Sequence, residues 1–187
     1  LSTATPDASP KLVAAAMGEA GSLGALLRNR ATAAQLDAQG EVLALASVDL
    51  TQLCERVVAR HAPLAGGRGV ELTSGVPPEP VRVEADPTLL EQALGNLVSN
   101  AVRYSRPGGH VAVVLDLDGP GFLVRVLDDG PGLSAAEASR LLGEGGPAHS
   151  GRGLDIVARV VRLHRFELRC CAQAPGLEVQ LRGPRAA

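Results

Sequence analysis

Residues 110–130, "HVAVVLDLDGPGFLVRVLDDG", constrain the fold more than any other stretch of the chain. Val111, Val113 and Leu115 recur at every second position, and so do Phe122, Val124 and Val126. That period belongs to a β-strand, whose side chains point alternately to opposite faces. The "DGPG" between the two runs is turn chemistry, so the spacing predicts an antiparallel hairpin with strands His110–Leu117 and Gly121–Asp128. A sheet with one apolar face needs a cover, and the flanking segments carry helical periodicity. The fold class expected is therefore α+β: an α/β sandwich with a mixed, mainly antiparallel sheet covered by helices on one face, and preceded by a further helix.

The remaining elements follow from local signals. Leu12, Ala16, Leu23, Leu26 and Leu27 predict a helix from about Lys11 to Leu36. Gly18, Gly21 and Gly24 each weaken it by up to ~1 kcal/mol relative to alanine, so it needs a partner surface, such as the same helix of a second copy. Residues 41–69 read as a short extended piece and then a helix, capped by Asp49 or Thr51 and ended by Gly66–Gly67. Val70–Ser74 and Val81–Glu84 are short strands around a proline-rich turn. Asp86 fits a cap position and Pro87 a first turn, opening a helix that runs to about Tyr104. A short helix over Ser134–Leu142, a glycine-rich loop over 143–153, a helix over 154–165 and a closing hairpin (Glu167–Ala172, Leu177–Leu181) complete the chain. All strands are expected in one mixed sheet.

Composition excludes several functions. The chain has 187 residues and a net charge of −2, too little positive charge for a dedicated nucleic-acid binder. Aromatic residues make up 2% against 45% hydrophobic, so the core is Val, Leu and Ala, and base-stacking platforms are out. The three cysteines have no metal-site spacing and suggest buried thiols in a reducing, cytoplasmic compartment. No apolar run reaches the roughly 18 residues of a membrane span, and residues 1–11 lack the order of a signal peptide. The chain begins with Leu, as a fragment or a processed chain does.

Three motifs carry the chemistry. In "GNLVSNAVRYS" (95–105), Asn96, Asn100 and Arg103 form one helical stripe with Tyr104 at its edge. They lie beside the apolar stripe Leu90, Ala93, Leu94, Leu97 and Ala101. Asparagine is a poor helix-interior residue, so its use at a cleft edge is informative. Asparagine oxygens are hard ligands suited to Mg²⁺, and Arg103 offers a cation to a phosphate. The competing reading is two solvent-facing asparagines. In "VRVLDDGPGL" (124–133), alternation puts Asp128 on the face of Phe122, Val124 and Val126. An acid ending an apolar row needs a donor, such as a ligand amino group; Gly130 and Gly132 let the backbone turn tightly against a flat ligand. The competing reading is a plain turn. In "HSGRGLDIVARVVRLH" (149–164), glycines lead into a helix N-terminus, which attracts anions; a flexible helix start explains the same pattern.

In this order and spacing the three resemble the ATP-binding catalytic domain of sensor histidine kinases, within the ATPase superfamily shared with gyrase, Hsp90 and MutL. "LLEQALGNLVSNAVRYS" looks like that family's N box, "LDDGPGL" its G1 box and "GRGL" its G2 box. The segment 48–72 is similar to the opening of the catalytic domain, and residues 11–38 to the second helix of the dimerisation and phosphotransfer hairpin. The resemblance implies that residues 1–45 are that helix and a linker and 46–187 the ATP-binding domain. It further implies ATP and Mg²⁺ as cofactors, with Asn100 on the metal, Asn96 beside the triphosphate and Arg103 on phosphate. Tyr104 would pack on the nucleotide, Asp128 would receive the adenine amino group, and Gly130 and Gly132 would shape the base pocket. Gly151, Arg152, Gly153 and Leu154 would approach the phosphates. The implied partners are a response regulator and a second copy joined through residues 11–38.

The chain departs from the family pattern in places. None of His61, His110, His149 and His164 has the His-acid…Pro context of a phosphoacceptor, so the resemblance implies a histidine supplied by a helix outside this sequence. The lid between the second and third motifs is short, and "ASRLLGEGG" stands where the family carries its phenylalanine-bearing F box. His149 or Asp155, depending on alignment, replaces a glycine, and Asp129 stands where Asn is common. A degenerate kinase-like module acting by dimerisation or regulator binding is therefore the alternative. A serine kinase of the anti-sigma type fits the upstream helix poorly.

Overall fold

The computed structural model describes residues 43–132, 153–173 and 175–186. The expected helix over 11–36, the helix over Ser134–Leu142 and the glycine loop up to Arg152 lie outside the described residues.

The hairpin forms as its alternation dictates. Strands β4 (His110–Asp118) and β5 (Gly121–Asp128) pair antiparallel with Val113 opposite Val126 and Leu117 opposite Phe122. Val111, Val113, Leu115, Phe122, Val124 and Val126 are all buried, while the residues between them are half-buried or exposed. On one side of the hairpin β2 (Glu71–Gly75) adds parallel to β4. On the other, β7 (Leu177–Pro184) and then β6 (Glu167–Ala172) add antiparallel. The sheet is thus five-stranded in the order β2-β4-β5-β7-β6, mixed through its single parallel pair. The expectation of one sheet is corrected at β3 (Arg82–Ala85), which pairs instead with β1 (Ala46–Asp49) in a separate two-stranded ribbon. That ribbon buries Val48, Val83 and Ala85 and leaves the alternate positions Ser47, Arg82 and Glu84 outside.

Helices α1 (Leu50–Arg68), α2 (Pro87–Tyr104) and α3 (Gly153–Leu163) pack together and contribute to one core with the sheet. Asp49 caps α1 by accepting from the Gln52 amide. The helix runs through Gly66 and Gly67, where the sequence suggested its end, and stops at Arg68, with Gly69, two residues past Gly67, supplying the left-handed cap at φ 66°. The Gly69 amide donates to the Gly66 carbonyl and the Val70 amide to the Ala65 carbonyl, the paired closure of a Schellman motif. Asp86 caps α2, its Oδ1 accepting from the Thr88 and Leu89 amides at 3.0 and 3.1 Å, with Pro87 in the first turn. At the far end the Arg68 guanidinium donates to the carbonyls of Val102 and Arg103, where a helix carries its negative end. Asp49, Asp86 and Pro87 thus take the places their residue types foretold.

Candidate functional site

Helix α2 positions the first motif. Its apolar stripe (Leu90, Ala93, Leu94, Leu97, Ala101) is buried. The polar stripe beside it runs obliquely from core to solvent: Asn96 is buried, Asn100 half-buried and Arg103 exposed, with Tyr104 56% exposed at the edge. The Asn96 side chain is 9% exposed as a residue, yet its Nδ2 has no hydrogen-bond partner among the described residues. A buried amide donor left without an acceptor costs about 1–3 kcal/mol. This is a position where an external acceptor would relieve a built-in deficit.

Strand β5 positions the second motif. Asp128 closes the row Phe122, Val124, Val126 and faces the helix-covered side of the sheet, over which α2 packs. Burial raises its pKa above the ordinary 3.8; amides of Gly130 and Leu177 donating to the carboxylate pull the other way, and the neighbouring Asp129 charge adds to the rise. The Gly130 amide reaches Oδ1 at 2.9 Å. Gly130 itself is wedged against α2: a Cβ there would lie 2.8 Å from the Tyr104 carbonyl oxygen. Gly132 abuts the β6–β7 turn, where a Cβ would come within 2.9 Å of the Gly176 carbonyl. These close approaches bring the end of α2, the acidic end of β5 and the β6–β7 turn together. An open cleft of about 560 Å³ lies there, lined by Tyr104, Arg106, Asp129, Gly130 and Pro131 on one side and Gln173, Pro175 and Gly176 on the other; of the predicted site residues it takes in Tyr104 and Gly130, while Asn96, Asn100, Arg103 and Asp128 are not among its lining.

The structure gives Asp129 a separate task. Asp129 follows the last residue of β5 and lines the cleft beside Gly130. Its Oδ2 accepts from the His110 amide at 3.2 Å, and Arg106 donates to its carbonyl at 3.2 Å while its Nε lies 4.0 Å from the carboxylate. Asp129 therefore fastens the turn between α2 and β4 to the second motif.

Of the third motif, Gly153 and Leu154 open α3, which packs along α2 through Ile156, Val157, Val160 and Val161. Gly151 and Arg152 lie outside the described residues. No group of three or more His, Cys, Asp or Glu side chains capable of holding a metal occurs among the described residues. A cation here would take one oxygen from Asn100 and the rest from water and a ligand's own oxygens, the arrangement that suits Mg²⁺.

Sequence reasoning overlooked a buried junction at the far ends of the two helices, where α2 begins and α3 stops. His164 Nε2 accepts from the Asp86 amide at 2.9 Å, and His164 Nδ1 lies 2.7 Å from the Val160 carbonyl. A histidine ending an amphipathic helix was the available signal, but only folding shows that it meets residue 86. The buried-thiol expectation holds for Cys54, fully buried and pushed up to about 12 by burial and Glu55, and is corrected for Cys170 and Cys171, which sit half-buried on an edge strand.

Comparison with known proteins bears on this geometry. The family profile described as "Histidine kinase-, DNA gyrase B-, and HSP90-like ATPase" matches residues 85–186. Sensor protein CreC of Escherichia coli (strain K12) is 35% identical over 152 residues, which are 77% of this chain and 31% of CreC. Sensor protein kinase PmrB of Pseudomonas aeruginosa is 33% identical over 165 residues, 81% of this chain and 33% of PmrB. The chain spans about a third of the length of these curated relatives. Among solved structures, the mycobacterial sensor histidine kinase MprB superposes with a TM-score of 0.65 at 29% identity, over 75% of this chain and 97% of that one. Full-length ShkA in complex with AMPPNP superposes with a TM-score of 0.74 at 26% identity, over 99% of this chain and 40% of its own. Among the described residues no helix is long and apolar enough to cross a membrane.

Proposed function

The chain belongs to the histidine kinase-, DNA gyrase B- and HSP90-like ATPase family, and from that membership we propose that it is the Mg-ATP-binding catalytic part of a two-component sensor histidine kinase. In this reading a γ-phosphoryl group passes to a histidine on a phosphoacceptor helix, and a response regulator then takes it up. A second copy joins through residues 11–38.

The observation that carries the reading is the orphaned Asn96 amide, buried on the helix that also bears Asn100 and Arg103. A donor in that position suits a phosphate oxygen. Asn100, half-buried one turn on, offers its carbonyl oxygen to Mg²⁺, and Arg103 reaches outward toward phosphate. Bound Mg²⁺ would neutralise charge on the triphosphate. Asp128 holds its carboxylate where an adenine amino group can donate to it, with Gly130 and Gly132 keeping backbone out of the plane of the base. Tyr104 covers the nucleotide from the end of α2. Gly153 and Leu154 present the free amides of the α3 N-terminus to the phosphates, with Gly151 and Arg152 ahead of them. The chain's own contribution is positioning and electrostatics, which suffices for phosphoryl transfer once the acceptor histidine stands in line.

Calorimetric titration of the 187-residue chain with Mg-ATP tests this. Binding with one site per chain is expected, weakened by Asn100→Asp, which alters the metal ligand and adds a charge beside the triphosphate. No heat of binding at millimolar nucleotide would remove the kinase reading and leave a module that acts through protein contacts.

A further inference from the structure

Helices α2 and α3 carry the two sides of the proposed phosphate site, and they are tied together at the ends remote from it. The Asp86 amide, just before α2, donates to His164 Nε2 at 2.9 Å, just after α3. Asp86 and His164 are each 9% exposed. The tautomer is dictated by the neighbours: Val160 O can only accept, so Nδ1 carries the proton, and Asp86 N can only donate, so Nε2 presents its lone pair. Both ring nitrogens are committed and the ring has one orientation. Phe166 stacks on it at 5.3 Å and packs edge-on to Phe122 of the central strand, so the ring is also held from below.

The same residue 86 gathers two more connections. Its carboxylate caps α2 through Oδ1, while Oδ2 accepts from the Ala44 amide of the incoming chain at 3.2 Å. The start of the domain, the N-terminus of α2 and the C-terminus of α3 therefore meet at one buried point. The helices pack along one another from that point. At 1.5 Å rise per residue, Asn96 lies roughly 15 Å along α2 from Asp86, and Gly153 roughly 16 Å back along α3 from His164. The junction therefore sets the level at which the N-terminus of α3 stands against Asn96 and Asn100.

We propose that His164 is a positioning residue of the nucleotide site: its bond to the Asp86 amide fixes the register of α3 against α2. The claim rests on the nucleotide-binding reading above. Groups on both helices must meet one triphosphate, and misplacement of about 1 Å in such a site can cost up to ~100-fold. By linkage the dependence is reciprocal, so nucleotide must in turn strengthen the junction.

Two measurements on the full chain test this. First, Mg-ATP affinity is compared in wild type, His164→Phe and His164→Gln at a temperature well below every unfolding midpoint. Phenylalanine keeps the ring against Phe166 and removes the acceptor; glutamine can bring an amide oxygen to the Nε2 position. We expect affinity to fall about tenfold in His164→Phe, by the displacement argument, and to return to within about threefold of wild type in His164→Gln. A merely structural histidine would lower the unfolding midpoint in both and leave the affinity of the folded protein alone; unchanged affinity in His164→Phe, or no recovery in His164→Gln, overturns the proposal. Second, hydrogen exchange at the Asp86 amide is followed in the wild type, which needs no variant to fold. We expect saturation with Mg-ATP to slow it; an exchange rate unmoved by saturating nucleotide overturns the proposal as well. A wild type that binds no nucleotide overturns the functional reading itself, an outcome distinct from either of these.

Discussion

Gly176 lies flat against the carbonyl of Asp128: a Cβ placed on it would fall on that oxygen. Its φ of 110° is open only to glycine in practice. This contact seats the β6–β7 turn on the acidic end of β5 and lets the Leu177 amide reach the Asp128 carboxylate. Gly176→Ala therefore has to move backbone on one side or the other. We expect a loss of about 2–3 kcal/mol in urea unfolding, in the range of other strained backbone substitutions, together with weaker Mg-ATP binding. An alanine variant as stable as wild type would mean that the turn does not sit on Asp128.

Asp128 should give nucleotide binding a pH dependence of definite sign. Burial raises its pKa above 3.8, so the folded protein holds this proton to higher pH than the unfolded chain. Its contribution to stability is therefore present below 3.8 and lost as pH rises through the raised value. Binding runs the other way, because an amino donor prefers the ionised carboxylate. Affinity should rise as pH climbs through that window, with a proton released on binding. Calorimetry in two buffers of different ionisation enthalpy measures the release. Asp128→Asn should abolish it and weaken binding; equal release in the variant would show that another group titrates.

Asn96 is expected to oppose stability in order to serve the site. Its Nδ2 is buried without a partner among the described residues, whereas Leu has the same number of side-chain heavy atoms, branched at the same carbon, and no polar group to desolvate. Asn96→Leu should therefore gain about 1 kcal/mol in thermal or urea unfolding and lose at least about tenfold in Mg-ATP affinity. A variant that is less stable than wild type and still binds nucleotide normally would place the amide in a structural role.

The legible parts of this fold are those encoded within a few residues. The alternation of Val111, Val113 and Leu115 with their neighbours specified a strand and its buried face, and Asp86-Pro87 specified a helix start, because each signal is read by the local backbone. Asp128 could be placed on the helix side for the same reason. Pairing was less accessible. Val83 and Ala85 have the same alternation as a strand of the main sheet, and nothing local distinguishes that sheet from the β1 ribbon they join. The end of α1 was misjudged because Gly66 and Gly67 look like stops, whereas the left-handed cap needs just one glycine and that one is Gly69. Within the site, sequence could nominate Asn96 but not show its amide unpartnered, and it gave no hint that the His164 ring meets the Asp86 amide, since that contact exists only in the assembled core.

Arg165 provides a test that leaves the site residues untouched. It ends α3 in the same way that Gly69 ends α1: the Arg165 amide donates to the Arg162 carbonyl at 3.0 Å and the Phe166 amide to the Val161 carbonyl at 2.9 Å. The residue at the turn of such a motif adopts a left-handed conformation, and here it has φ 56° while carrying a side chain. For an L-residue with a Cβ that conformation costs roughly 1–2 kcal/mol, part of which glycine returns through the greater entropy of its unfolded chain. Arg165→Gly should accordingly raise the unfolding free energy by about 0.5–1 kcal/mol, read as a higher urea midpoint at constant slope. Arg165→Ala is the control, because it removes the guanidinium and keeps the Cβ; it should bring no such gain. If alanine stabilises as much as glycine, the penalty lies in the arginine side chain and not in the backbone, and the left-handed assignment at the end of α3 fails.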